Sequence, residues 1–383
     1  MLENMKTQKA DWRTVKFGDV VKLSKARSQN PLADGIERYV GLEHLEPGDL
    51  RVRSWGDVAD GTTFTNVFKP GQVLFGKRRA YQRKVAVADF TGVCSGDIYV
   101  FETQDPSVLL PELLPFICQT DAFFDHAVGT SAGSLSPRTN WTSLADYKFP
   151  LPSIKEQKRL VDLLSASNKA AEALESARES ARTLLRSLSI DQFCNDEDGS
   201  EPFLATHYSV VSGQVDPKDS NYAELPLIAP NHIESGTGRI TAIESATKQA
   251  AISGKYLFES GAVIYSKIRP NLVKATIAPC RALCSADMYA LITKDSLRNE
   301  YLLEILLSDR FTQFAVSGSM RTGIPKLNRE HLAQYKCFVP DIEKQDEYLA
   351  KVRAIRKSAS SFDKRRSTIL QLKNLILAGE MGL

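Results

Sequence analysis

The chain has 383 residues, 43% of them hydrophobic and 25% charged, which is material for two or three cores and excludes a single small domain. A formal charge of +3 permits an acidic polymer as partner without demanding one, so a nucleic-acid reading must rest on where the cations sit. Six cysteines are too few for a disulfide framework, and no apolar run has the length of a signal core or membrane span, so the expected setting is the cytoplasm with reduced thiols.

In chain order, the first 70 residues offer no pattern that aligns with anything later. FKPGQVLFGKRRAYQRKVAVADFTGVCSGDIYVFET, residues 68–103, alternates short Val, Ile, Phe and Tyr runs with glycine and charged turns, which predicts strands. Within it, KRRAYQRK gathers Lys77, Arg78, Arg79, Arg83 and Lys84 around Tyr81. PELLPFICQTDAFFDHAV, residues 111–128, predicts a helix, and strands followed by helices within one unit give an α+β domain. SLSPRTNWTSLADYKFPLPSIKEQ, residues 134–157, then brings a further cation and a carboxamide, Arg138 and Asn140.

Beyond Pro152 glycine and proline vanish, and Leu160, Leu164, Ser167, Ala171, Leu174, Arg178, Ala181, Leu185 and Leu188 advance by alternating steps of four and three. That is a heptad seam on a long helix.

The second half repeats the first. GAVIYSKIRP, residues 261–270, lies 190 positions beyond GQVLFGKRRA, and LCSADMYAL lies 190 beyond VCSGDIYVF. The repeat returns basic residues as Lys267, Arg269 and Lys274. NEYLLEILLSDRFTQFAV, residues 299–316, predicts a second copy of the domain's helix, and RTGIPKLNREHLAQYKCFVPDIEKQ supplies Arg321, Lys326 and Asn328. From Pro325 onward the offset is 188, so copy two has lost two residues between the counterparts of Asp97 and Pro137. A second seam comes next, Tyr348, Val352, Ile355, Ala359, Phe362, Arg366, Ile369, Lys373 and Ile376, with each residue 188 beyond its counterpart. Each helix, at roughly 36 to 40 residues, would be about 55 to 60 Å long. Paired antiparallel, the two would hold similar globular units at opposite ends, about a pseudo-twofold axis.

Catalytic signatures are missing. The histidines, His44, His126, His207, His232 and His331, show no recurrence between copies, so neither Cys94 nor Cys284 gains a partner for thiol chemistry. Cys280 and Cys284 are spaced CxxxC, but Cys94 has no such neighbour and a metal site needs more ligands. PDIEKQDE does not keep its charges in the first copy, PSIKEQKR, which argues against a nuclease centre. No phosphate loop or dinucleotide fingerprint occurs. The two cysteine segments are therefore duplicated scaffold, and the recurring cations are the candidates for phosphate or base contact.

Taken together, GQVLFGKRRAYQRKVAVADFTGVCSGDIYVF, the LPSIKEQ that introduces a long helix, and the diverged second copy resemble the specificity subunit of Type I restriction-modification systems, from about Asp11 to about Ala378. The resemblance implies target-recognition domains at 1–150 and 197–338, each followed by a conserved helical region, 151–196 and 339–383. It implies a subunit without chemistry of its own that binds a bipartite, asymmetric double-stranded DNA target. Its DNA-binding set would be Lys77, Arg78, Arg79, Arg83, Lys84, Arg138 and Asn140 in one domain and Lys267, Arg269, Lys274, Arg321, Lys326 and Asn328 in the other. Two methyltransferase subunits carrying S-adenosylmethionine would dock on the helices through Leu160, Leu164, Leu174, Leu185, Val352, Ile355, Phe362 and Ile369. In the restriction form, motor-nuclease subunits would bring ATP and Mg. The chain itself is expected to hold no cofactor and no metal. The competing expectations are a coiled-coil adaptor whose globular units bind proteins, and an enzyme with an unrecognised site.

Overall fold

The computed structural model describes residues 12–193, 201–319 and 324–381. It divides into two compact units, Met1–Glu175 with Asp363–Leu383, and Ser176–Phe362, so the division runs through both long helices. Each unit contains one globular domain, one half of the first long helix and one half of the second.

The first domain has ten strands: β1 (Arg13–Lys16), β2 (Val21–Leu23), β3 (Arg38–Val40), β4 (Gly56–Asp57), β5 (Asn66–Phe68), β6 (Val73–Gly76), β7 (Val85–Val87), β8 (Gly92–Cys94), β9 (Ile98–Thr103) and β10 (Lys148–Leu151). They form an antiparallel sheet in the order β2-β9-β6-β7, a mixed sheet in the order β4-β3-β8-β5, and a β1-β10 ribbon. The second domain contains β11 (Tyr208–Val210), β12 (Pro226–Ile228), β13 (Glu244–Ser245), β14 (Tyr256–Phe258), β15 (Val263–Ser266), β16 (Ala275–Ile277), β17 (Ala282–Cys284) and β18 (Met288–Thr293). Its orders, β11-β18-β15-β16 and β13-β12-β17-β14, reproduce the first two sheets strand for strand. Even the parallel pair recurs, with Val40 beside Cys94 and Ile228 beside Cys284. The repeat thus reaches back before residue 71, where strands of two or three residues leave too little periodicity to align.

The registers also locate the length change. Thr103 and Thr293 close equivalent strands 190 apart, whereas Val108 and Ser296, whose carbonyls receive equivalent hydrogen bonds, lie 188 apart. The two missing residues fall in the turn after β9.

The helices, numbered in chain order, begin with α1 (Phe17–Val20). Residues 111–128, expected as one helix, are broken into α2 (Leu114–Cys118) and α3 (Asp121–Gly129), because the Thr120 hydroxyl accepts the Phe123 N–H at 3.3 Å and starts a new helix. After the short α4 (Trp141–Ala145) comes the first long helix, α5 (Ile154–Phe193). The second copy breaks alike, into α6 (Asn299–Leu307) and α7 (Asp309–Ser317), with the Ser308 hydroxyl accepting the Phe311 N–H at 3.2 Å. It continues with α8 (Arg329–Ala333) and the second long helix, α9 (Ile342–Met381). Each long helix has 40 residues, about 60 Å at 1.5 Å per residue.

A buried glutamine fixes each long helix to its domain. Gln157 accepts the Leu110 N–H at 2.9 Å and donates to the Val108 and Pro152 carbonyls at 2.9 and 3.0 Å. Gln345 does the same with Arg298, Ser296 and Pro340, at 2.8, 2.9 and 2.8 Å. Both side chains are inaccessible to solvent, so all of these bonds are made in a low dielectric, where losing one partner strands the other.

In the first unit α5 packs on its domain through Leu160 and Leu164, in one core with Phe17, Phe75, Phe101 and Leu377. Glu175 of α5 meets Arg366 of α9 at 3.2 Å, while the start of α5 and the end of α9 share that core, so the halves run antiparallel. In the second unit Phe193 stacks edge-on against Tyr348, and Leu185 and Leu188 pack against the core that holds Val352, so the end of α5 meets the start of α9, again antiparallel. Glu304, almost buried, is paired with Arg356 at 2.5 Å and ties α6 to α9. Among the described residues no helix is long and apolar enough to cross a membrane.

Candidate nucleic-acid interface

The basic turn comes directly after β6 in one domain and after β15 in the other. Gly76 N–H donates to the Lys84 carbonyl at 3.0 Å and Ser266 N–H to that of Lys274 at 2.9 Å, so both loops close at the same rung. Residues 80–82 and 270–272 each form a single 3-10 turn, bracketed by residues in the left-handed region: Arg79 (φ 53°) and Arg83 (φ 56°), then Arg269 (φ 49°) and Val273 (φ 48°). A side chain there costs of the order of 1–2 kcal/mol, and a β-branched valine is the least tolerant of all. Strain of this kind persists where surrounding contacts over-determine the backbone. Arg79 N–H donates to Pro137 at 2.7 Å, Arg269 N–H to Pro325 at 2.9 Å, and Gly236 N–H to the Val273 carbonyl at 2.9 Å.

The cysteine segments form the floor of these turns. Lys77 N–H donates to the Asp97 carbonyl and Lys267 N–H to that of Asp287, both at 3.0 Å. Ser95 and Ser285 hydroxyls accept the Asp97 and Asp287 N–H groups, each at 3.2 Å. Cys94 and Cys284 are themselves sealed in the core, where burial pushes both thiols up to about 12 and keeps them protonated at neutral pH.

Several of the expected DNA contacts are engaged by partners within the protein. Arg138 Nε donates to Asp97 at 2.7 Å, and Arg78 donates to Asp97 at 3.3 Å and to the Ser136 hydroxyl at 2.9 Å. Burial raises the Asp97 carboxyl, but these two guanidiniums outweigh it and hold the group below its ordinary value. Arg83 is paired with Asp121 at 2.5 Å and lies over the Phe124 ring. Lys84 and Lys274 donate to backbone carbonyls, of Leu42 and Pro230, both at 2.7 Å. Asn140 and Asn328 cap α4 and α8, accepting the Ser143 and His331 N–H groups at 2.8 and 2.7 Å. Arg79 reaches Ser136 at 3.3 Å.

The remaining cations are placed differently. Lys77 lies 4.5 Å from the Tyr99 ring centroid and Lys267, which is buried, lies 5.1 Å from that of Tyr289. Burial lowers both ammonium groups from the ordinary lysine value. Lys77 also borders a polar cleft of about 290 Å³ that Arg27, Thr65 and Asn66 share. Arg269 is exposed and Lys326 half-buried, whereas Arg321 lies outside the described residues. Sequence alone does not mark Asp97 and Ser136 as organisers of the site; the recurrence of Asp97 as Asp287 is the available signal.

Part of the expected docking seam packs within the chain. Leu160, Leu164 and Val352 are buried in domain cores, and Leu174, Leu185, Ile355, Phe362 and Ile369 are half-buried along the helices. The leucines that face solvent are others, among them Leu184 at 54% and Leu372 at 52% exposure, 188 positions apart. The histidines also require a correction. His44 and His232 do recur: each Nδ1 accepts the N–H three residues earlier, from Gly41 at 3.0 Å and Ala229 at 3.2 Å. The sequence hides this recurrence because both precede the aligned region, and their role is to close a turn.

Two domains of one topology, each with a strained basic turn and each leading into a long helix, define a distinctive arrangement. The family model described as Type I restriction modification DNA specificity domain matches residues 9–181 and again 212–369. The chain belongs to this family. It is 25% identical to the Type I restriction enzyme EcoDI specificity subunit of Escherichia coli, over 95% of this chain and 85% of that one. Among solved structures, a chain from work on complex assembly and conformational transition of the type I R-M system aligns over 97% of this chain and 98% of its own, with a TM-score of 0.62 at 18% identity. The Type-I restriction-modification system S subunit from M. genitalium aligns over 97% and 96%, with a TM-score of 0.57 at 14% identity. A specificity subunit of this type is not an enzyme, and the chemistry of the system resides in other subunits.

Proposed function

We propose that this specificity subunit reads a bipartite, asymmetric double-stranded DNA target, one half-site per globular domain, and that its long helices recruit two adenine methyltransferase subunits and set the unread spacer. The observation that carries this reading is the duplication itself: one scaffold, with one strained basic turn, is built twice in a single chain around different side chains. Two similar domains offer two similar footprints, and their different exposed residues call for different sequences. The recurrence of an exposed leucine at equivalent positions of the two long helices, Leu184 and Leu372, supports docking of one kind of partner on each helix. S-adenosylmethionine, and ATP with Mg in a restriction assembly, belong to those partners, and the complex acts in the cytoplasm.

The test is selection from a random duplex pool by the subunit co-purified with its methyltransferase, at several salt concentrations. Two unlike half-sites at fixed separation, with affinity that falls steeply as salt rises, support the proposal. Recovery of DNA without a shared motif contradicts it.

A further inference from the structure

We infer that the last two residues at the apex of each strained turn, Tyr81 with Gln82 and Asn271 with Leu272, are the positions through which each domain distinguishes bases. The inference rests on the half-site reading above and names the residues that would carry it. The backbone of the two turns is the same: φ values at the bracketing residues agree within about 10°, and the anchoring hydrogen bonds to Pro137 and Pro325 are equivalent. The first apex residue is buried in both, as Ala80 and Pro270. The next two positions differ in kind and reach solvent, with Tyr81 at 56% and Leu272 at 38% exposure, Asn271 exposed and Gln82 half-buried. Neither the Tyr81 hydroxyl nor the Asn271 carboxamide takes part in a hydrogen bond among the described residues.

The division of labour follows from this geometry. In the first domain most flanking cations are held by Asp97, Asp121 or a backbone carbonyl, and in the second Lys274 is held by a backbone carbonyl, so they stiffen the turn and supply positive potential. The apex carries the chemistry that can discriminate. An asparagine carboxamide matches the adenine edge in the major groove, donating and accepting at once, and an adjacent leucine suits a thymine methyl. A tyrosine offers a ring face and one hydroxyl, a different selection. A strained backbone is the expected cost of projecting such residues in one fixed direction.

The experiment uses the full subunit with its methyltransferase partner and reads the selected DNA motif for the wild type and for Tyr81→Asn, Tyr81→Phe, Asn271→Tyr and Asn271→Ala. Each change at 81 should alter or relax base preference in one half-site alone, and each change at 271 in the other alone, by roughly ten- to hundredfold at the contacted position. An unchanged motif, or loss of both half-sites together in complexes that still melt like the wild type, overturns the inference. If the wild type itself selects no bipartite motif, the half-site reading fails and the inference with it. If the wild type selects one and the variants leave it intact, the inference alone fails.

Discussion

At the scale of single residues, charge alone is a poor guide to role. KRRAYQRK presents as a basic patch, yet Arg78, Arg83 and Lys84 are bound by the protein itself, and Arg138 joins Arg78 on one carboxylate. Sequence cannot separate a cation that stiffens a loop from one that faces solvent, because the partner acids lie 19 to 41 residues away. Arg269 is the clearest outward cation, and Arg269→Glu should weaken DNA binding while leaving the melting temperature within about a degree. It should also lower the salt slope by about one counterion. Equal loss of stability and binding would make Arg269 a scaffold residue.

Lys373 shows the opposite case, a seam position occupied by a charge. It is 5% exposed, donates to Gln119 Oε1 at 2.8 Å and lies over Phe116. Burial lowers its pKa to about 8, against the pull of Asp49. The folded value lies below the unfolded one, so the protonated lysine disfavours folding. That penalty is fully present below about pH 8 and fades as pH rises toward the unfolded value. Lys373→Met should therefore stabilise the first unit at pH 7 by roughly 2 kcal/mol, with the gain shrinking toward about pH 10. Parallel stability profiles for the two proteins would show that the ammonium carries no such penalty.

At the scale of elements, the long helices are the most legible feature, because a heptad seam free of glycine and proline spells out its own secondary structure. Both start and end 188 residues apart, at Ile154 and Ile342 and at Phe193 and Met381. The breaks at Thr120 and Ser308 are hidden in apolar runs that look continuous, since a single hydroxyl suffices to cap a new helix. The seam also misleads in one respect: Leu160 and Leu164 belong to the protein's own core and Leu185 packs against another, so the exposed Leu184 and Leu372 are the better candidates for the proposed docking. Removing residues 174–180 and 362–368, one heptad from each helix, shortens each by about 10 Å, about three base pairs of duplex. The spacer should contract by about that much or binding should be lost, with the half-site sequences unaltered. Changed half-sites at an unchanged spacing would show that the helices do not set the distance.

At the scale of the whole molecule, the duplication is readable only where side chains are constrained by more than burial. The turn, its CSGD or CSAD floor and the glutamine at each helix start recur because each must satisfy specific backbone groups. Strands β2 to β5 and β11 to β14 recur in topology, yet their sequences drift because a short strand needs only the right face apolar. The proposed function follows the same division: the duplicated part holds the scaffold, and the residues that differ on it are those proposed to tell one half-site from the other. The most direct measurement is the pattern of methylated adenines in host DNA, compared between cells with and without this subunit. The expected result is one added motif, made of two unlike half-sites separated by a fixed run of unspecified bases. A palindromic or uninterrupted motif would contradict it.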